Sequence, residues 1–174
     1  MRFGFTFLAL GATFLPQTFA NFDVYAAIEE LPSAGIYRYG YQVFATDPSC
    51  NEVFDRWFWN WQSDVSGTKT GMRCSASPSS ACFPDIDGRV ERDPANINQL
   101  EMNFHGTNPI YHWTLYKDRG YTMVGLDGNT YGNCILFPKH TYDCEESGTY
   151  RYAERKFRCL TQFTADQLNN APYL

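Results

Sequence analysis

The side chains best suited to acid–base chemistry are the three histidines, two of which lie close to a carboxylate in the sequence. Alternate side chains of a β-strand share one face, so Glu101, Asn103 and His105 would lie together on a strand. His112 could face them across a hairpin, and such a group is able to cleave RNA by general acid–base catalysis. No motif defines this geometry. We therefore favour a protein that is not an enzyme, with a small secreted hydrolase such as a ribonuclease as the alternative.

An acidic stretch offers the oxygen ligands that calcium prefers. It consists of residues 85–88, Asp-Ile-Asp-Gly, followed by Glu91 and Asp93. The third ligand of an Asp-x-Asp-x-Asp-Gly loop is missing, which favours a solvated acidic loop over a metal site. The chain also has no Cys-x-x-Cys pair, no Gly-x-Ser-x-Gly elbow and no phosphate-binding glycine loop. We predict no metal, no cofactor and no catalytic residue.

Two rows of alternating aromatic residues are better candidates for recognition. In a strand, each row would present its rings on one face, where large rigid rings can anchor a sugar or a protein partner at little entropic cost. Either row could equally be part of the core, since aromatic side chains dominate the buried area of small domains. The core is the favoured place for the tryptophans, and the tyrosines are evenly balanced. The candidate binding residues are Tyr37, Tyr39, Tyr41, Trp57, Trp59 and Trp61.

The cysteines point to an oxidising environment. An even number of cysteines in an exported chain predicts a framework of three disulfides, whose pairing the sequence leaves open. Their spacing to one another and to the histidines does not match metal-ligand pairs, so disulfides are favoured over a metal site. The predicted disulfide residues are Cys50, Cys74, Cys82, Cys134, Cys144 and Cys159.

Residues 1–20 have the order of parts of a secretory signal peptide. A basic start at Arg2 precedes an apolar run over residues 3–15, and small residues precede Asn21. That run is shorter than the roughly 20 residues that span a bilayer. Residues 21–174 have the length of one domain. The formal net charge of −5 repels phosphate backbones and anionic lipid, so we expect no binding to nucleic acid or membranes. With the signal peptide removed, the protein is predicted to be a secreted, extracellular monomer.

Most of the domain is predicted to be β-structure, because short aromatic and β-branched segments alternate with polar or glycine-containing turns. Turns at residues 117–120 and 127–129 divide residues 110–137 into a three-stranded meander. Residues 75–98 are predicted to form a surface loop tied down by Cys74 and Cys82. The predicted strands are 23–27, 36–45, 56–61, 70–74, 99–104, 110–116, 121–126, 131–137 and 149–159.

One helix is expected near the C-terminus. Residues 164–167, Thr-Ala-Asp-Gln, fit a capping box, in which the threonine and glutamine side chains bind the free backbone donors of the first turn. The predicted fold class is therefore mainly β: a single antiparallel sandwich or barrel-like domain with one short C-terminal helix and three disulfides.

Three segments resemble parts of small cysteine-containing secreted proteins of filamentous ascomycete fungi. They are residues 21–25 (Asn-Phe-Asp-Val-Tyr), residues 43–50 (Val-Phe-Ala-Thr-Asp-Pro-Ser-Cys) and residues 64–74, which end at Cys74. The resemblance implies an effector-type protein that acts outside the producing cell and contributes to virulence. No functional residue of this chain can be assigned from the resemblance. Together with the aromatic rows, it leads us to expect a binding protein for a host protein or a cell-wall polysaccharide.

Overall fold

The computed structural model describes residues 20–85 and 91–171. Strands dominate this part of the chain, as predicted, and short 3-10 turns connect several of them. The strands are β1 (Ala20–Leu31), β2 (Ile36–Phe44), β3 (Trp59–Asn60), β4 (Gly71–Ala76), β5 (Ile97–Asn103), β6 (His112–Tyr116), β7 (Thr122–Gly125), β8 (Thr130–Leu136), β9 (Thr141–Glu146) and β10 (Thr149–Thr161). The α-helices are α1 (Cys50–Asp55) and α2 (Ala165–Asn170). The 3-10 turns are Pro32–Ala34, Ser79–Cys82, Pro94–Asn96, Pro109–Tyr111 and Lys117–Arg119.

The strands form one curved antiparallel sheet, a half-barrel with the order β3-β2-β1-β10-β8-β7-β6-β5-β4, and β9 pairs with β10 outside this path. The predicted meander is confirmed, since β6, β7 and β8 are consecutive neighbours. The two edges of the sheet meet at one point, where Trp61 bridges Met72 and the Gln62 amide donates to the Met72 carbonyl at 2.8 Å. The barrel-like alternative of the predicted fold class is therefore correct.

Side chains fill the inside of the half-barrel. Alternation along β1 directs Phe22 and Val24 inward, and β10 contributes Phe157 and Cys159 from the facing register. Helix α2 closes the core with Ala165 and Leu168, and Ala171, which directly follows the helix, is buried in the same cluster. The fully buried aromatic side chains of this inner core are Phe22, Tyr41, Trp59, Phe104, Trp113 and Phe157.

A second, smaller core lies on the other face of β1, where Tyr25 and Ala27 point away from the inner core. Helix α1 covers this face with Val53, and β9 covers it with Tyr142. The Cys50–Cys144 disulfide joins the two covering elements. Elements distant in sequence are thus clamped over one sheet face, and this arrangement also positions the site described below.

The disulfide framework is confirmed, and the structure supplies the pairing that the sequence left open. Besides Cys50–Cys144, the chain forms Cys74–Cys82 and Cys134–Cys159. Cys134 and Cys159 lie directly opposite each other on β8 and β10. The short Cys74–Cys82 link ties down the start of the segment predicted as a loop, as expected.

The predicted strand over residues 56–61 is wrong for most of its length. The segment before it is helix α1, because Ser49 and Glu52 form a capping box that the sequence analysis missed: Glu52 accepts the Ser49 amide at 2.9 Å. Only Trp59 and Asn60 pair with β2 as a strand. Strand β9 was also missed. The predicted C-terminal helix is confirmed as α2, with Thr164 and Gln167 in the expected capping box.

The acidic stretch is only partly solvated. The Asp85 carboxylate binds the Arg92 guanidinium at 2.6 Å, and the Asp85 backbone amide donates to the Glu154 carboxylate at 2.8 Å. Glu154 is fully buried and also binds the ammonium of Lys156, itself fully buried, at 2.7 Å. Residues 86–88 of the acidic stretch lie outside the described residues, as does most of the predicted signal peptide.

Candidate binding site

Two of the six candidate aromatic residues belong to the core, which corrects their assignment as binding residues. Tyr41 is fully buried, and its hydroxyl donates to the Cys82 carbonyl at 2.6 Å. Trp59 is 1% exposed and packs edge-on against Phe104 at a centroid distance of 5.0 Å. Both face the inner core because they are paired with each other across β2 and β3. Of the three tryptophans in the predicted row, only Trp59 lies in the core, where all three were expected.

The other four candidates lie on two separate surfaces. Trp57 is 41% exposed and lines a cleft, whereas Trp61 is 39% exposed and its amide donates to the Tyr39 carbonyl at 2.9 Å. The predicted single row of tryptophans does not form because β3 is only two residues long. Period-two alternation holds only while the chain is a paired strand. The backbone outside β3 is therefore free to turn Trp57 away from Trp61.

The Trp57 cleft, as we call the concavity beside β3, has a volume of about 460 Å³. Aromatic rings and polar side chains share its lining, which is the usual composition of a ligand site. Its exposed polar groups include one carboxylate and two carboxamides. Its lining residues include Arg38, Asp55, Trp57, Phe58, Asn60 and Gln62.

Helix α2 holds the rim of the Trp57 cleft in place. The buried carboxamide of Asn169 accepts the Trp57 amide at 3.0 Å and donates to the Val43 carbonyl at 3.0 Å. Next to it, Arg56 forms an ion pair with Asp166 at 2.6 Å. Asn169 was not predicted from the sequence, although it lies in the last turn of the C-terminal helix that the sequence predicts. Its partners are over 100 residues away.

Cations stacked on an aromatic ring form the back of the cleft. Phe58 lies where a side chain on Gly40 would be, since a Cβ there would approach its ring to 2.3 Å. The guanidinium groups of Arg38 and Arg151 lie 5.6 and 5.4 Å from the centroid of the Phe58 ring. Both arginines bind the carboxylate of Glu29, whose side chain is 5% exposed.

The charges around the cleft balance. Arg38 and Arg151 share Glu29, and Arg56 is paired with an acidic residue of α2. Asp55 adds a further carboxylate to the lining. A site without net charge does not select an ion by long-range attraction. A partly exposed tryptophan beside carboxylate, carboxamide and guanidinium groups instead suits a neutral ligand with many hydroxyls, such as a sugar.

A second exposed surface, the aromatic strip, consists of Tyr37, Tyr39, Phe83 and Trp61. Successive ring centroids are 5.3, 4.6 and 5.8 Å apart. Neighbouring rings are tilted to one another by 83°, 50° and 70°. The strip is therefore a ridged surface and not a flat platform. Phe83 was not predicted, because its approach to β2 depends on the Cys74–Cys82 turn.

The structure brings together one part of the predicted histidine group. His112 Nε2 lies 2.9 Å from Glu101 Oε1, and Arg73 donates to the other carboxylate oxygen at 2.7 Å. The His112 side chain is only 3% exposed. His105 makes different contacts, because its Nδ1 accepts the backbone amide of Asn108 at 2.9 Å.

The remaining members of this group are in structural positions. Asn103 is buried, and its side chain donates to the Val65 carbonyl at 3.0 Å. His140 lies in a different cluster, where its Nδ1 is 3.0 Å from the Tyr25 hydroxyl and its Nε2 is 3.4 Å from Asp47. Burial and the hydrogen bond to Asp47 raise the pKa of Tyr25, which keeps this phenol protonated.

The fold and disulfides define a class: a disulfide-bonded antiparallel β half-barrel with a polar and aromatic surface cleft. Comparison with protein-family models, curated proteins and solved structures gave no match. Over residues 20–85 and 91–171, neither helix has the length and apolar character needed to cross a membrane. Within the same ranges, no cluster of three or more histidine, cysteine or acidic side chains is placed to hold a metal ion.

Proposed function

We propose that this chain is a secreted, non-enzymatic binding protein of the effector type that recognises a cell-wall polysaccharide through the Trp57 cleft. The observation that carries the proposal is the exposed Trp57 indole in a concave, charge-balanced site lined by Asp55, Asn60 and Gln62. The three disulfides are consistent with a role outside the cell.

A sugar fits the Trp57 cleft better than a protein side chain does. The apolar C–H face of a pyranose ring can stack on Trp57. The carboxylate and carboxamide groups of the cleft can each form hydrogen bonds with two neighbouring hydroxyls of the sugar. Arg38 offers further donors at the back of the cleft, and the ion pair with Glu29 holds its fork in place. A preorganised rim lowers the entropic cost of binding. Asn169 supplies that rigidity by fixing the Trp57 backbone.

Replacing Trp57 by alanine should abolish most polysaccharide binding without unfolding the protein. Among the described lining residues, Trp57 is the only large apolar side chain that is exposed, and it belongs to neither core cluster. Its loss therefore removes the stacking contact. Hot-spot aromatics typically contribute 2 kcal/mol or more. We expect at least a tenfold weaker affinity for soluble chitin or β-glucan oligosaccharides, measured by calorimetry.

Tyr150→Ala is the matched control, because Tyr150 is 46% exposed and does not line the cleft. It should bind oligosaccharides as the unmodified chain does. If no chitin, glucan or other wall polymer binds in a saturable manner, or if Trp57→Ala binds as tightly as Tyr150→Ala, the proposed function is wrong.

A secreted ribonuclease is the second candidate, and the contact between Glu101 and His112 favours it. Against it, the His112 imidazole is almost fully buried and His105 is occupied by backbone amides. A general base must reach the proton that it abstracts. We expect the purified protein to leave RNA intact. RNA cleavage that disappears in both His112→Ala and Glu101→Gln, with His105→Ala as the comparison, would establish the ribonuclease instead.

A further inference from the structure

We propose that the bound polysaccharide extends from the Trp57 cleft into a second, adjoining cleft, so that the protein binds a neutral polymer along its length. This inference rests on the proposed function. The second cleft, which we call the hairpin cleft, has a volume of about 390 Å³. It lies between Leu31 and Ile36, at the end of the β1–β2 hairpin, and Ser147 and Thr149, at the end of the β9–β10 hairpin. The volumes of both clefts are those of small-molecule sites.

The two clefts share lining residues and are adjoining parts of one surface. Arg38, Phe54 and Arg151 line both of them. The Arg151 guanidinium lies 5.0 Å from the centroid of the Phe54 ring. The Nε atoms of both arginines donate to the buried Glu29 carboxylate at 2.6 Å. Because one carboxylate fixes both guanidinium groups, the joint between the clefts is held in place before a ligand binds.

Arg38 is well placed to bind a ligand chain at this joint. Its side chain is 48% exposed, and two of its five N–H donors bind Glu29. Among the residues that the structure describes, none accepts a hydrogen bond from the other three donors. Glu29 balances the charge of the guanidinium, so these donors suit the uncharged hydroxyl and ring oxygens of a sugar.

The hairpin cleft repeats the groups of the Trp57 cleft. Each cleft has one exposed large apolar side chain among its described lining residues: Trp57 in the first and Ile36, 44% exposed, in the second. Each also has an exposed carboxylate, Asp55 or Glu146, which forms no ion pair within the described part of the chain. Two arginines and two glutamates line the hairpin cleft, so its charges balance as well. Repeated groups without net charge match a neutral polymer of similar units.

The walls of the hairpin cleft are formed without the ligand. In the turn of the β9–β10 hairpin, the Gly148 amide donates to the Glu145 carboxylate at 2.7 Å. At the end of the β1–β2 hairpin, the Gly35 amide donates to the Pro32 carbonyl at 3.1 Å. Walls fixed in this way lose little freedom when a ligand binds. For a chain already held at Trp57, contact with the second cleft is intramolecular, so it adds affinity at a reduced entropic cost.

The test is calorimetry of the full chain with chitin and β-glucan oligosaccharides, from the disaccharide to the octasaccharide. For the series that binds, we expect the affinity to rise at least tenfold with length and to level off when both clefts are filled. Ile36→Ala/Glu146→Ala should lose about tenfold in octasaccharide affinity, because an apolar contact and a hydrogen-bonding group are removed. It should bind the disaccharide as the unmodified chain does, which also shows that the variant is folded.

Tyr150→Ala is again the matched control, because Tyr150 is adjacent to Thr149 in sequence and lines neither cleft. Its affinity should be unchanged at every length. Equal affinities of the unmodified chain for the disaccharide and the octasaccharide would overturn the inference. So would a length dependence that Ile36→Ala/Glu146→Ala retains in full, since the gain would then come from the many registers of a long chain in the Trp57 cleft alone.

These outcomes are distinct from a failure of the proposed function. If the length dependence is absent or insensitive to the double variant, while Trp57→Ala weakens binding at every length, the polysaccharide proposal stands and only the second cleft is wrong. If no oligosaccharide binds, or if Trp57→Ala has no effect, the proposed function fails and this inference fails with it.

Discussion

Replacing Cys50 and Cys144 together by alanine should lower the free energy of unfolding by about 4 to 5 kcal/mol. These cysteines are 94 residues apart in sequence, so their disulfide closes the longest loop of the three. In the chain-entropy description, a loop of about 100 residues contributes roughly 4.7 kcal/mol by restricting the unfolded chain. Denaturant unfolding followed by tryptophan fluorescence measures the change. The variant should also lose the packing of α1 against β9.

The Cys74–Cys82 disulfide provides an internal scale for this prediction. Cys74 and Cys82 are only 8 residues apart, and the same relation gives about 2.5 kcal/mol for their removal. Cys74→Ala/Cys82→Ala should therefore be clearly more stable than Cys50→Ala/Cys144→Ala. Equal losses in the two double variants would contradict the loop-length argument. A larger loss in the Cys74–Cys82 variant would contradict it as well.

Removing the Glu154 carboxylate should destabilise the protein by about 3 to 5 kcal/mol. Glu154 accepts the amides of Asp85 and Arg92 at 2.8 and 2.9 Å and the Lys156 ammonium at 2.7 Å. In Glu154→Ala, two backbone donors lose their partner, and the fully buried Lys156 loses its counter-charge and keeps the hydrogen bond to the Arg92 carbonyl. Breaking one side of a buried ion pair costs this much because the remaining charge has no compensation. Equilibrium denaturation in urea is the measurement.

Glu154→Gln is the matched variant, since it keeps the shape and one acceptor oxygen and removes only the charge. Its free energy of unfolding should fall by less than that of Glu154→Ala. Glu146→Ala, an exposed glutamate on β9, should change stability by no more than about 0.5 kcal/mol. If Glu154→Ala is as stable as Glu146→Ala, the buried pair does not hold Asp85 and Arg92 against β10.

The pH dependence of the Glu154→Ala variant follows from Lys156. Burial lowers the pKa of this lysine below its ordinary value, and Glu154 partly offsets the shift. The unfolded chain then binds more protons than the folded one, so stability rises with pH up to the ordinary lysine pKa. Without Glu154 the pKa of Lys156 falls further. The difference in the free energy of unfolding between the unmodified chain and Glu154→Ala should therefore shrink as the pH increases through the alkaline range.

Some predictions from the sequence succeed because their causes are local. The capping box at Thr164 and Gln167 specifies α2, since both partners lie within one helical turn. The same signal at Ser49 and Glu52 specifies α1, which was not predicted. The turn at residues 127–129 likewise determines the hairpin of β7 and β8.

The candidate site was only partly predictable. Trp57 was identified by its residue type, but its partner Asn169 and the shared carboxylate of Glu29 were not. These contacts join segments that are distant in sequence, such as Trp57 with α2 and Arg151 with β1. Residue types indicate that aromatic and polar groups are available for binding. They do not indicate which of these groups meet at one surface.

Residue types and spacing alone determine that this chain is mainly antiparallel β-structure with three disulfides and a short helix near its C-terminus. Strand periodicity, an even cysteine count and helix capping are properties of neighbouring residues. The tertiary structure decides which cysteines pair and which aromatic residues are buried. Tyr41 packs into the inner core, where its hydroxyl binds the Cys82 carbonyl, whereas Tyr37, on the same face of the same strand, lies outside that core and stays exposed. Alternation assigns a side chain to a face, but only the packing of distant elements determines whether that face meets protein or water.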